Sequence, residues 1–133
     1  MTNDTKVLAN VSYALSSLAY MEAEVCVEVT GMGQEMKALL AGYEKMRTEK
    51  AVVEAGACLV ANLAYSNEQV KETLRQMDVC PVLMRIFTTT LQKPDISTFK
   101  QIFRAFGNLS LSKAFTQQLV DLHFCSLAVQ MTN

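Results

Sequence analysis

The chain has no tryptophan, one histidine, two prolines and five glycines among its 133 residues. So few chain breakers exclude a loop-rich or turn-rich architecture. Charged residues are 19% of the chain, below the roughly 25% of an average globular domain. The 13 acidic and 12 basic side chains nearly cancel, leaving a net charge of −1. That balance excludes a strongly electrostatic partnership with nucleic acid or an acidic membrane. No apolar run approaches the roughly 20 residues of a membrane span. The start, Met1-Thr2-Asn3-Asp4, has no basic region followed by an apolar one, so no signal peptide is read there. The four cysteines, Cys26, Cys58, Cys80 and Cys125, form no Cys-x-x-Cys pair, and His123 is the one histidine beside them. Their spacing matches no metal site. They read as buried free thiols packed as small hydrophobes, in a reducing, cytoplasmic compartment. No metal or cofactor is expected.

What is present is helical. Half of the residues are hydrophobic, and Ala, Leu, Met, Gln, Glu and Lys recur. The length suffices for one domain with its own core, residues 1–133. Three segments align: Leu15-Ser-Ser-Leu-Ala-Tyr20, Val60-Ala-Asn-Leu-Ala-Tyr65 and Phe106-Gly-Asn-Leu-Ser-Leu111, at offsets of 45 and 46 residues. Downstream, Val25, Val29 and Met32 fall under Val70, Leu74 and Met77, and those under Phe115, Leu119 and Leu122. Cys80 and Cys125 are then equivalent positions, as are Ile86 and Met131. Within each copy the apolar steps of 4 and 3 place these residues on one helix face.

The breaks fall at helix ends. Ser66 or Asn67 caps a helix beginning at Glu68, and Asp95 or Ser97 caps one after Pro94. Pro81 sits where a first turn tolerates it. The resulting expectation is eight helices over about 4–20, 22–31, 34–45, 47–65, 67–77, 80–91, 96–111 and 113–131, the last bent near His123. The stretch from Thr88 to Pro94 reads as a mobile surface loop.

A helical repeat of about 45 residues lies in the armadillo and HEAT range. Here a short helix begins at Ser66-Asn67-Glu68-Gln69-Val70, a second starts around Val79-Cys80-Pro81-Val82-Leu83, and a longer third ends in Asn62-Leu63-Ala64 or Asn108-Leu109-Ser110. This order resembles the armadillo repeat family, whereas HEAT repeats have two helices and lack the terminal Asn-Leu-Ala signature. The resemblance spans almost the whole chain and is strongest over residues 47–111. It implies an all-α, right-handed armadillo-like superhelix, a solenoid of about three repeats. The units are 1–20 (partial), 21–65, 66–111 and 112–133 (partial). Three departures stand out. The family's glycine between first and second helices matches Gly33 but is replaced by Asp78 and His123. Ser17 stands in the first copy where the others have Asn62 and Asn108. The tryptophans with which the importin branch grips basic peptides are absent, which argues against recognition of nuclear signals.

In the family the third helices line a concave groove. Stepping back by four and eight residues from the Asn position stays on one helix face. This gives Ala9, Tyr13 and Ser17 in the first copy, Glu54, Cys58 and Asn62 in the second, and Lys100, Arg104 and Asn108 in the third. The resemblance implies that Asn62 and Asn108 bond the backbone of an extended peptide, since an amide both donates and accepts. Lys100 and Arg104 would then select an acidic side chain. The alternative is that the asparagines bond the neighbouring repeat and the cations form a solvated face. Tyr13 is either core or an exposed end residue.

No residue set supports catalysis. His123 has Asp121 two residues away, on another helix face, and marks a bend rather than a triad. Glu22, Glu24 and Glu28 read as a solvated face near a helix start. Gly31-Met32-Gly33 lacks the strand and Gly-Lys-Ser/Thr of a phosphate loop. Met32, Met77 and Met84 fall at core positions. Residues 67–133 carry seven basic and five acidic residues with no basic run interleaved with aromatics, so nucleic-acid binding is not expected. The ends of a solenoid expose apolar faces unless capped: Leu8, Val11 and Leu15 at one end, Leu127, Val129 and Met131 at the other. The sequence therefore supports a non-enzymatic scaffold that takes an extended or helical segment of a protein partner in its groove. The rival reading is a structural subunit that assembles through its open ends, with itself or in a larger complex.

Overall fold

The computed structural model describes residues 3–131. Among them run α1 (Asn3–Ala19), α2 (Ala23–Gly31), α3 (Gly33–Lys45), α4 (Lys50–Ala64), α5 (Glu68–Gln76), α6 (Val79–Gln92), α7 (Ile96–Leu109), α8 (Lys113–Asp121) and α9 (Phe124–Gln130), and no strand. The fold is all-α. No helix of the described residues is long and apolar enough to cross a membrane.

Local chemistry sets the helix ends. Asn67 is the cap of α5, its Oδ1 accepting from the Val70 N–H at 2.9 Å. Asp95 is the cap of α7, accepting from the Thr98 N–H at 3.0 Å. Pro81 lies in the first turn of α6, where its missing N–H leaves no helix bond unmade. The expected helix over 47–65 begins later, at Lys50, because Met46 and Glu49 close a turn through Glu49 N–H to Met46 O. The expected surface loop from Thr88 to Pro94 is mostly helix: α6 continues to Gln92 and buries Thr90. The last expected helix divides into α8 and α9 at His123, whose φ is 61°.

That angle accounts for one departure from the repeat pattern. Asp78, ahead of α6, has φ 59°. Asp78 and His123 both adopt the left-handed conformation that glycine enters most cheaply and that Asp and His tolerate better than bulkier residues. Gly33, the glycine actually present, does not use it: no glycine has positive φ. In the first copy the left-handed residue is Met21, φ 58°, between α1 and α2.

From α1 to α4, each helix packs on the helix three places further along the chain. α1 lies along α4 and α4 along α7, while α2 meets α5 and α3 meets α6. α4 is central. From Val52 to Ala64 only Glu54 and Cys58 keep partial exposure. Each large apolar side chain so buried contributes about 1.5–3 kcal/mol. Gly56 lets the Tyr43 ring approach: a Cβ there would lie 2.8 Å from the ring. The Tyr43 hydroxyl in turn meets Ser12 Oγ at 2.5 Å, tying α3 to α1. Toward the other end, Phe87, Phe99, Phe103, Phe106 and Phe124 pack edge-to-face and tilted, joining α6, α7 and α9.

Several burial expectations change. Cys26 and Cys80 are buried, but Cys58 is half-buried and Cys125 exposed. Met84 is buried and Met77 half-buried, yet Met32 is exposed because it sits in the turn between α2 and α3. Leu8 and Leu15 do not point away from the body: both pack against the core, Leu8 over Gly42. Leu127 and Met131 also pack on the core, while Val129 is exposed.

Candidate partner-binding groove

The third-helix stack α1–α4–α7 brings together most of the residues singled out from the sequence. Asn62 lies buried between α1 and α7. Its Nδ2 donates to Ser16 O at 2.9 Å and to Ser16 Oγ at 2.8 Å. Its Oδ1 accepts from Arg104 Nη2 at 2.8 Å. Both amide hydrogens are therefore used inside the fold, and the expected grip of Asn62 on a peptide backbone has no donor to supply it. Asn108 is half-buried and donates one Nδ2 hydrogen to Ala61 O at 2.8 Å. Its place differs from that of Asn62 because, among the described residues, no helix stacks on α7 as α7 stacks on α4.

Arg104 is half-buried. Its other bonds go to Gln101 Oε1 at 2.5 Å and, weakly, to Cys58 Sγ at 4.0 Å. These partners are neutral, and no carboxylate of a described residue lies within ion-pair distance. The cation is thus oriented but not neutralised. Lys100, one turn earlier on α7, is exposed. Cys58 meets Ser16 Oγ at 3.0 Å. Glu54 accepts from Ser97 Oγ at 3.3 Å. Tyr13 has its phenol pushed up from its ordinary value, by burial first and then by Glu54 and Cys58 nearby. Ser17 is exposed on α1. The stack therefore gathers Tyr13, Glu54 and Cys58 at one level and Asn62, Arg104 and Asn108 at another.

The second group lines a cavity of about 300 Å³ together with Tyr20, Met21 and Tyr65. These three are exposed, at 59%, 66% and 59%. Sequence reasoning aligns Tyr20 with Tyr65 but stops the groove at the Asn position. Both tyrosines follow the helix end by one residue and are exposed. Ser16 escapes such reasoning too, since its role depends on the register between α1 and α4.

A second cavity, about 340 Å³, opens where Arg47 and Lys50 face the Lys93–Asp95 turn. Lys50 is already paired with Asp95 at 3.2 Å. Asp95 also accepts from the Thr98 hydroxyl and N–H and from Ser97, which hold its carboxyl well below the usual range. A carboxylate ligand here would meet the like charge of Asp95, so the Arg104 cavity is the better candidate. Among the described residues no cluster of His, Cys, Asp and Glu has the makings of a metal site. No family model, curated protein or solved structure matches the chain.

Proposed function

We propose that the protein is a non-enzymatic protein-binding scaffold and that its 133 residues form one armadillo-like, right-handed superhelical domain of about three repeats. The packing of α1, α2, α3 and α4 each on the third helix after it supports the superhelical reading. So does the short, medium, long order of α2, α3 and α4, at 9, 13 and 15 residues. The partner is a protein segment carrying a carboxylate, held at the cavity of Tyr20, Tyr65, Arg104 and Asn108. The observation that carries this is the guanidinium of Arg104, fixed by neutral acceptors and lacking a counter-charge. Arg beside exposed tyrosines is the composition of an interface hot spot. Asn108 supplies the remaining amide donor, Lys100 adds attraction at longer range, and the exposed Ser17 and Tyr13 extend the surface. Four free thiols support a cytoplasmic setting.

The test is selection of binders from a random peptide library displayed on phage, against the wild-type chain and against Arg104→Glu. Wild type should enrich peptides with Asp or Glu at a fixed position. The variant, checked for unchanged helicity by circular dichroism, should lose that preference. Enrichment without any acidic preference, or one that survives the charge reversal, would sink the reading.

A further inference from the structure

The two open faces of the helix stack are the two halves of one joint, repeated twice inside the molecule. On α1, Val7, Val11, Ala14 and Leu18 are exposed, Val7 at 60% and Leu18 at 61%. Their spacing of 4, 3 and 4 makes one continuous stripe. The aligned positions on α4, Val52, Gly56, Leu59 and Leu63, are all buried, as are Thr98, Ile102, Ala105 and Leu109 on α7. On α4 this stripe is covered from its own layer, where the Tyr43 ring of α3 sits over Gly56, and from α1 behind it. The stripe on α1 has the same chemistry and no such cover among the described residues.

The opposite face shows the reverse gradient. Ser12, Ser16 and Ala19 on α1 are buried, and so are Ala57, Ala61 and Ala64 on α4. The aligned residues on α7 are Phe103, half-buried, and Gly107 and Ser110, both exposed. Small side chains at this face let the next helix come close. On α7 that space is a cavity of about 400 Å³, lined also by Val120, Phe124 and Cys125. In the two earlier layers a long helix comes after the short and medium ones and fills this place: α4 after α2 and α3, α7 after α5 and α6. α8 and α9, at 9 and 7 residues, are two short helices, and among the described residues no long helix follows them.

We propose that α1 of a second copy of this chain occupies that place, so that copies join head to tail. The incoming α1 lays Val7, Val11, Ala14 and Leu18 against α8 and α9 and stacks on α7 as α4 stacks on α1. The register carries a further contact. Arg104 on α7 donates to Asn62 Oδ1 on α4. Tyr13 stands on α1 at the position aligned with Arg104, and Asn108 at the position aligned with Asn62. The incoming Tyr13 hydroxyl therefore faces Asn108 Oδ1. The interface is heterologous, so it extends rather than closing at a dimer. It rests on the open faces alone and stands whether or not the Arg104 cavity binds a peptide.

Light scattering on the 133-residue chain, from micromolar to millimolar concentration, reads the association directly. The mass should rise with concentration past that of a dimer. Val11→Asp with Leu18→Asp blocks the head. Gly107→Arg blocks the tail, and a side chain there meets open space within the monomer, so folding is spared. Each variant alone should remain monomeric. An equal mixture should form a dimer and nothing larger, because one intact head meets one intact tail; this also shows that both variants are folded. Tyr13→Phe should weaken association about fivefold, the effect of one hydrogen bond. A monomeric wild type at every concentration, a mixture that stays monomeric, or a head variant that still associates overturns the proposal. An unchanged constant for Tyr13→Phe overturns its register.

Discussion

Cys80 and Cys125 hold the same place in the aligned copies, yet one is sealed in the core and the other faces solvent. Their own sequences do not explain this, since Val79-Cys80-Pro81-Val82-Leu83 and Phe124-Cys125-Ser126-Leu127-Ala128 are both apolar. The difference lies in the helices packed around them. α6 has α3, α7 and α8 against it, and among the described residues α9 has no long helix after it. In a stack of similar layers, burial is decided by neighbours and not by the residue.

The largest consequence is alkaline. Burial pushes the Cys80 thiol up from 9.0 to about 12. Burial likewise pushes the Tyr43 phenol from 10.0 to about 12, against the opposing pull of its Ser12 hydrogen bond. Both groups are held protonated in the folded chain, so their stability contribution is complete below their unfolded values. It falls as pH rises, from about 9 for Cys80 and about 10 for Tyr43 up to about 12. Each adds a slope of about 1.4 kcal/mol per pH unit within its window. Urea midpoints measured from pH 8 upward should therefore stay level, then drop with a steepening slope. Cys80→Ala should flatten the first part of that drop. At neutral pH a thiol reagent should modify Cys125 at once and Cys80 only when the fold opens. Equal rates at the two cysteines would break the comparison.

The two asparagines sharpen it. Asn62→Ala leaves the buried Ser16 carbonyl and the Arg104 guanidinium without their partner. With each such loss costing about 1–3 kcal/mol, the variant should be destabilised by roughly 2–3 kcal/mol. Asn108→Ala removes one bond at a half-open face and should cost about 0.5–1.5 kcal/mol. Denaturant titration of both variants settles the order, and equal losses would mean that the layers are equivalent after all.

Two glycines should respond with opposite sign to the same change. A Cβ at Gly56 would press on the buried Tyr43 ring, whose hydroxyl is tied to Ser12. Overpacking of this kind costs about 1–3 kcal/mol and outweighs the roughly 0.5–1 kcal/mol that a helix gains on losing a glycine. Gly107 meets no atom within 4 Å, so only the gain remains. Gly56→Ala should lower the thermal midpoint and Gly107→Ala should raise it.

Periodicity makes the helices readable, and the break at His123 is visible because an apolar pattern of one phase ends there and another begins. The start of α4 is not readable, since the Met46–Glu49 turn is made by backbone bonds that any side chains permit. Nor are the partners of the aligned positions. Ser16 and Asn62 are each plain in the sequence, but their bond depends on how far α1 slides along α4, and Leu8 looks outward until Gly42 provides a place for it. For the same reason the groove residues can be named before they can be assigned: Asn62 and Asn108 share a motif and differ only in which helix lies above them.

The smallest effect separates two helix caps. Asn67 at the start of α5 carries no titratable group, while Asp95 at the start of α7 does. The Thr98 hydroxyl is the first cause of the low value at Asp95, with the Thr98 N–H, Ser97 and Lys50 acting in the same direction against desolvation. A carboxyl lowered in the folded state stabilises above the ordinary aspartate range, and that contribution is lost as pH falls through the folded value. Acid should therefore loosen the first turn of α7 before that of α5. Amide protection factors for Thr98 and Val70, compared between neutral and strongly acidic pH, would show it: protection at Thr98 should drop while Val70 holds. Asp95→Asn keeps a cap that cannot titrate and should remove the difference. If both amides lost protection together, acid would be acting on the whole stack, and the caps would not be independent of the layers they begin.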